Sequence, residues 1–157
     1  MPLLTYLVED NPLIRENLIA SLEELTGVKV VDCADAEAPA IAWLCDRRNR
    51  WQLAVIDLFL REGTGLGVLS ACPLAGTDHT LVVFTNYVTP EIRERALRLG
   101  ATRVFDKSSE IDGFFQYCID LAEGSDRRPL KRPDAEAPCR HNRRKTDPPE
   151  TLATTDF

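Results

Sequence analysis

The chain has 157 residues, of which 44% are hydrophobic and 28% are charged, and its formal net charge is −6. This length and composition predict one globular domain with a single core. The first residues resemble a strand rather than a targeting leader, and no apolar run reaches the roughly 20 residues of a membrane helix. A membrane-spanning protein is therefore excluded, and we expect a cytoplasmic one.

Strands and helices are predicted to alternate along residues 1–124. The first strand runs from about Leu4 to Val8, and Asn11 and Pro12 supply the cap and the first-turn proline of a helix. Three leucines share one face of that helix and are expected to face the core: Leu18, Leu22 and Leu25. The second strand, about Lys29 to Cys33, precedes a helix that begins near Asp35 and turns three side chains inward: Ile41, Leu44 and Cys45.

The same alternation continues to Glu123. A third strand ends at Asp57, and a short helix runs from about Gly65 to Pro73. A fourth strand, Leu81 to Thr85, is followed by a helix that Pro90 opens and Gly100 closes. The last strand and helix span Arg103 to Phe105 and about Ile111 to Glu123. Five strand-helix units with nearly continuous apolar strands predict an α/β fold, in which helices cover both faces of a parallel sheet.

Residues that can bind ions or phosphate groups stand at the ends of four of these strands. They are Glu9 and Asp10 after the first, Asp57 after the third, Thr85 at the end of the fourth and Lys107 after the fifth. The carboxyl ends of parallel strands share one edge of the sheet, so we expect these side chains to converge. Three carboxylates, a hydroxyl and an ammonium group indicate a site for a divalent cation and a phosphoryl group. The glycines that follow Asp57, in REGTGLG, indicate a flexible turn rather than a nucleotide-binding loop.

Four segments carry a resemblance to a known family. LVEDNPLI, VIDLFLREGTGLGVL, VVFTN and GATRVFDKS resemble, in order and spacing, the response-regulator receiver family of two-component signalling, over about residues 3–122. The resemblance implies a flavodoxin-like (βα)5 fold, a doubly wound parallel sheet with the strand order 2-1-3-4-5. It also implies a single-domain receiver in a phosphorelay, which signals through protein-protein contacts. Such a domain is not an enzyme but a phosphoacceptor that assists its own phosphorylation and dephosphorylation.

The resemblance further implies a role for each residue at the strand ends. Asp57 would accept a phosphoryl group from a histidine kinase or a histidine phosphotransfer protein, and Thr85 and Lys107 would contact the phosphoryl oxygens. The cofactor would be Mg²⁺, a hard cation that prefers oxygen ligands. Its ligands would be three carboxylates and one backbone carbonyl: Glu9, Asp10, Asp57 and Phe59.

Two positions near the fifth strand depart from the usual receiver pattern. Ser108 follows the lysine where proline is usual, so we expect the Lys107–Ser108 peptide bond to be trans. Val104 stands where receivers usually have an aromatic residue, so a switch that rotates this ring is not expected. An alternative therefore stays open, in which the chain is a receiver-like scaffold that binds partners without being phosphorylated.

The composition changes near Gly124. Residues 1–124 carry a net charge of −8, whereas residues 125–157 carry +2 and hold five of the ten prolines with almost no large apolar side chain. We predict a receiver domain over residues 1–124 and a disordered basic tail over residues 125–157. Such a tail has no core for a DNA-binding output domain, and its cluster RHNRRK predicts at most non-specific contact with nucleic acid.

The five cysteines predict a reducing compartment. Their number is odd, they form no CxxC pair, and most of them lie in apolar segments, so we interpret them as buried thiols. A zinc site composed of Cys72, His79, Cys139 and His141 has no supporting ligand spacing and is disfavoured.

Overall fold

Five parallel strands form the centre of the molecule, in the order β2-β1-β3-β4-β5. The computed structural model describes residues 2–72 and 78–124. The strands are β1 (Leu3–Val8), β2 (Val28–Ala34), β3 (Leu53–Ile56), β4 (Thr80–Thr85) and β5 (Arg103–Asp106). The predicted α/β fold and its strand order are confirmed. The predicted tail, residues 125–157, lies outside the described residues.

A helix follows each strand, as predicted. The helices are α1 (Pro12–Leu25), α2 (Glu37–Leu44), α3 (Gly65–Ala71), α4 (Pro90–Arg98) and α5 (Ile111–Ala122). Side-chain oxygens of Asn11, Thr64 and Thr89 accept backbone N–H groups at the starts of α1, α3 and α4. These caps satisfy donors that the first turn of a helix leaves without partners, so they fix where each helix begins.

The sheet separates two apolar layers. Alternate strand residues point to opposite faces, so Tyr6 and Val8 pack with α2, α3 and α4, whereas Leu3 and Leu7 pack with α1 and α5. Phe114 of α5 is fully buried in the second layer. Its ring stacks on Phe84 with centroids 4.0 Å apart and meets Phe105 edge-on at 5.8 Å. Burial on both faces fixes the strands rigidly, and with them the residues at their ends.

Two predicted core positions are wrong. Leu18 and Leu22 are buried, but Leu25 is 61% exposed, because α1 ends there and Thr26 takes the inward position, its hydroxyl donating to the Leu22 carbonyl at 2.6 Å. Cys45 is also exposed. It is the first residue after α2, which ends at Leu44, so the helical spacing that predicted an inward position does not extend to it.

The exposures of Phe114 and Leu25 predict very different costs of truncation. Phe114→Ala should lower the free energy of unfolding by about 3–5 kcal/mol, because it leaves a cavity next to the Phe84 and Phe105 rings. Leu25→Ala should change it by less than about 0.5 kcal/mol, because the side chain is mostly in solvent. Urea denaturation measures both. Equal losses in the two variants would show that α5 is not packed as described.

Candidate functional site

The parallel register brings the predicted site residues to one edge of the sheet. Val8 pairs with Ile56, and Ile56 with Val83, so Glu9 and Asp57, which follow β1 and β3, leave the sheet side by side. Thr85 pairs with Asp106 at the ends of β4 and β5, which places Lys107 next to Thr85. The Lys107 N–H donates to the Thr85 carbonyl at 2.8 Å.

The carboxylate of Asp57 is held by three donors. Its Oδ1 accepts from the Thr85 hydroxyl at 2.6 Å and from the Phe59 N–H at 3.2 Å, and its Oδ2 accepts from Lys107 Nζ at 3.0 Å. The backbone N–H of Asp57 donates to the Val8 carbonyl at 3.0 Å. Asp57 is only 7% exposed, so this carboxylate has one orientation while its outer edge still reaches solvent.

Lys107 connects Asp57 to Glu9. Its Nζ lies 2.6 Å from Glu9 Oε1 as well as 3.0 Å from Asp57 Oδ2. Burial works to lower the pKa of Lys107, but the two carboxylates outweigh it, and the pKa is raised. The ammonium group is therefore charged over the whole physiological range of pH.

Glu9 is the most deeply buried acid of the site, with 2% of its surface exposed. Burial raises the pKa of Glu9, although the ion pair with Lys107 acts in the opposite direction. Its Oε2 accepts from the Asn11 N–H at 3.2 Å, and its backbone carbonyl accepts from Arg15 Nη1 at 2.9 Å. A carboxylate buried this deeply favours the charged form only next to cations.

Three carboxylates lie close enough to share a divalent cation. Within residues 2–72 and 78–124, the one group of three or more metal-binding side chains is Glu9, Asp10 and Asp57, with an oxygen of each within 4.8 Å of the others. Mg²⁺ binds oxygen at about 2.1 Å, which brings its ligands within roughly 3–4 Å of one another, so the site needs only slight closure. The hard oxygen donors and the excess of negative charge fit Mg²⁺.

Two aromatic side chains stand at the rim of this site. Phe59, two residues after Asp57, is 51% exposed, and Tyr87, two residues after Thr85, is 80% exposed. Tyr87 has a positive φ of 58°, which is uncommon for a residue other than glycine. Leu13 and Ile14 at the start of α1 are exposed as well, at 67% and 39%. Exposed apolar side chains therefore follow three of the strand ends that carry the charged and polar residues of the site.

Arg93 makes contacts that the sequence analysis missed. From α4 it donates to the Val104 carbonyl at 2.8 Å and to Glu110 Oε1 at 3.1 Å. The same Glu110 oxygen accepts from the Asp106 N–H at 2.9 Å. These bonds connect α4, β5 and the start of α5 directly beside Lys107. The peptide bond before Ser108 is trans, as expected, like all the others described.

The disfavoured zinc site is only partly within the described residues. Cys72 is buried, and His79 stacks on Trp51 with ring centroids 4.0 Å apart. Cys139 and His141 lie outside the described residues. No helix within residues 2–72 and 78–124 is both long and apolar enough to cross a membrane.

Comparison with known proteins identifies the family. Residues 5–118 match the response regulator receiver domain, and the chain belongs to that family of two-component signalling domains. It is 26% identical over 110 residues to the methanol utilization control regulatory protein MoxX of Paracoccus denitrificans. The match covers 69% of this chain and 48% of that protein, so the chain spans about half the length of this relative.

Solved structures of receivers show the same fold. The signal receiver domain of the response regulator NarL from Mycobacterium tuberculosis superposes with a TM-score of 0.67 at 24% identity, covering 78% of this chain and 98% of that one. A CheX-CheY-BeF3-Mg complex from Borrelia burgdorferi superposes with a TM-score of 0.67 at 14% identity. The match covers 77% of this chain and 90% of that one.

The ion pairs of Lys107 predict a large effect of its removal. Lys107→Met should lower the free energy of unfolding by about 3 kcal/mol at neutral pH, because two buried carboxylates lose their shared cation. The loss should shrink as the pH falls, because Glu9, whose pKa is raised by burial, then takes up a proton, and Mg²⁺ should restore part of it. Urea denaturation with and without MgCl₂ measures this. Lys29→Met, on an exposed lysine of β2, is the control, and equal effects in the two variants would contradict the charge balance described.

Proposed function

We propose that this receiver accepts a phosphoryl group on Asp57 in the presence of Mg²⁺. The observation that carries the proposal is the set of contacts around Asp57. Its two oxygens accept from the Thr85 hydroxyl and the Lys107 ammonium, and its carboxylate forms a cluster of three with those of Glu9 and Asp10. Phosphoryl transfer requires an anionic nucleophile in a fixed position and positive charge near the phosphoryl oxygens. The fixed position of the Asp57 carboxylate and the adjacent Lys107 ammonium support the proposal.

The transfer follows from the chemistry of these groups. An oxygen of Asp57 forms a bond to phosphorus as the bond from phosphorus to the donor's imidazole nitrogen breaks, and the product is an acyl phosphate. Lys107 and Thr85 then turn from the carboxylate to the phosphoryl oxygens, where they offset the added charge. Bound Mg²⁺, held by Glu9, Asp10, Asp57 and the Phe59 carbonyl, would neutralise further negative charge at the same place.

The phosphodonor is proposed to be a histidine kinase or a histidine phosphotransfer protein. A partner that presents an imidazole must reach Asp57 over the exposed rim of Leu13, Ile14, Phe59 and Tyr87. Exposed apolar side chains around a charged centre suit a protein partner, because their burial adds affinity while the centre stays accessible.

The signal is proposed to leave through the end of β4. When Thr85 changes partner, the loop from Asn86 to Thr89 and the start of α4 are the nearest structures that can respond. Val104 offers no aromatic ring to rotate, whereas Arg93 and Glu110 connect α4 to β5 and α5. A downstream protein that contacts these elements would sense the phosphorylated state. The alternative, a scaffold that works without phosphorylation, shares this surface but makes no use of Asp57.

Phosphorylation is tested by mass spectrometry of intact protein incubated with acetyl phosphate. The wild type should gain one phosphoryl group only when Mg²⁺ is present, and the adduct should be stable in acid and labile in base. Asp57→Asn should gain none, while Asp120→Asn, which removes an equal charge from α5, should behave as the wild type. Modification of Asp57→Asn to the wild-type extent, or no modification of either protein, would contradict the proposal, and the second result would favour the scaffold.

A further inference from the structure

The loop between β3 and α3 is folded back on itself. The Gly65 N–H donates to the Leu58 carbonyl at 3.0 Å, and Phe59 and Thr64 face each other as an antiparallel pair. This hydrogen bond joins Leu58 and Gly65, which flank the pair. Phe59 and Thr64 are therefore a non-hydrogen-bonded antiparallel pair. Their backbone groups point away from each other, to opposite sides of the loop.

Glu37 binds one side of this loop and Asp57 binds the other. The Glu37 Oε1 accepts from the Thr64 N–H at 2.8 Å, and the Glu37 N–H donates to the Glu62 carbonyl at 3.1 Å. On the opposite side, the Phe59 N–H donates to Asp57 Oδ1 at 3.2 Å. The loop that carries Phe59 is therefore held between a carboxylate of α2 and the candidate phosphoacceptor.

Two glycines, Gly63 of the loop and Gly67 of α3, leave space for the Glu37 side chain. A methyl group at Gly67 would collide with the Glu37 carboxylate, and one at Gly63, where φ is +83°, would collide with Cβ of Glu37. The sequence predicted only a flexible turn here. The glycines instead allow a side chain from α2 to lie directly against the backbone, so the loop is anchored.

We propose that Glu37 is a positioning residue for the phosphoacceptor site. Its hydrogen bond to Thr64 fixes the backbone of Phe59, and so the carbonyl that is proposed to bind Mg²⁺. Glu37 acts through the loop and does not touch the metal or the phosphoryl group. This inference rests on the proposed function, because it concerns the affinity of that same site for Mg²⁺.

Calorimetric titration of the full chain with Mg²⁺ tests the inference. Glu37→Ala should weaken Mg²⁺ binding about fivefold, as expected for one lost ordering hydrogen bond, while Glu37→Gln, which keeps an acceptor oxygen, should stay within about twofold of wild type. Glu24→Ala, which removes a charge from the exposed end of α1, should leave the affinity unchanged. Equal weakening by Gln and Ala at position 37 would overturn the proposal, because the charge and not the hydrogen bond would then be responsible.

A double-mutant cycle with Gly67→Ala makes the test independent of folding. The added methyl group should displace the Glu37 carboxylate and weaken Mg²⁺ binding in the wild-type background, but it should have no further effect in Glu37→Ala. Amide exchange at Phe59 and Thr64 should accelerate in both single variants while exchange in β1 and β4 stays unchanged. Additive losses of affinity, or faster exchange throughout the sheet, would show a general structural effect and overturn the proposal.

Asp10→Asn separates this inference from the proposed function. If the wild type binds no Mg²⁺, both fail together. If the wild type binds Mg²⁺ and Asp10→Asn loses it, while Glu37→Ala keeps the wild-type affinity, the metal site stands and only the role of Glu37 is overturned.

Discussion

The ammonium group of Lys107 lies between two buried carboxylates, 2.6 Å from Glu9 and 3.0 Å from Asp57, and the rest of the site depends on this placement. Buried carboxylates so close together repel each other and would otherwise favour taking up a proton. The ion pair with the lysine acts against the burial that raises the pKa of Glu9. It also leaves an excess of negative charge, with Asp10 beside them, which a divalent cation can neutralise. The position of the Asp57 carboxylate and the charge balance of the site therefore depend on the same ammonium group.

The surrounding structure holds these charged side chains in fixed positions. Burial of β1 and β3 on both faces leaves Glu9 and Asp57 little freedom at the strand ends. Thr85 bonds to Asp57 from β4, Arg15 bonds to the Glu9 backbone from α1, and Glu37 anchors the loop after β3. These contacts come from helices on both sides of the sheet. The geometry of the site therefore depends on the packing of both helical layers.

The strand order and the strand-end residues could be predicted from sequence because they follow from local patterns. An apolar run ends at Ile56 and a carboxylate follows it, and parallel strands bring such ends to one edge. Glu37 and Arg93 could not be found in this way. Glu37 binds a backbone N–H group 27 residues further along the chain, and Arg93 binds a surface glutamate 17 residues further along. The glycines at 63 and 67 were the one available signal for Glu37. Leu25 and Cys45 were assigned inward because helical periodicity does not show where a helix ends.

The titration of Glu9 measures the charge balance around Lys107. Carbon-13 NMR of labelled glutamate carboxyl groups, with the signal of Glu9 assigned by Glu9→Gln, follows its protonation with and without saturating Mg²⁺. Burial should raise the pKa of Glu9 above its usual value in the metal-free protein. Mg²⁺ should lower it, because a cation among the three carboxylates favours the charged form. A pKa of Glu9 at its usual value that does not respond to Mg²⁺ would contradict the account of this site.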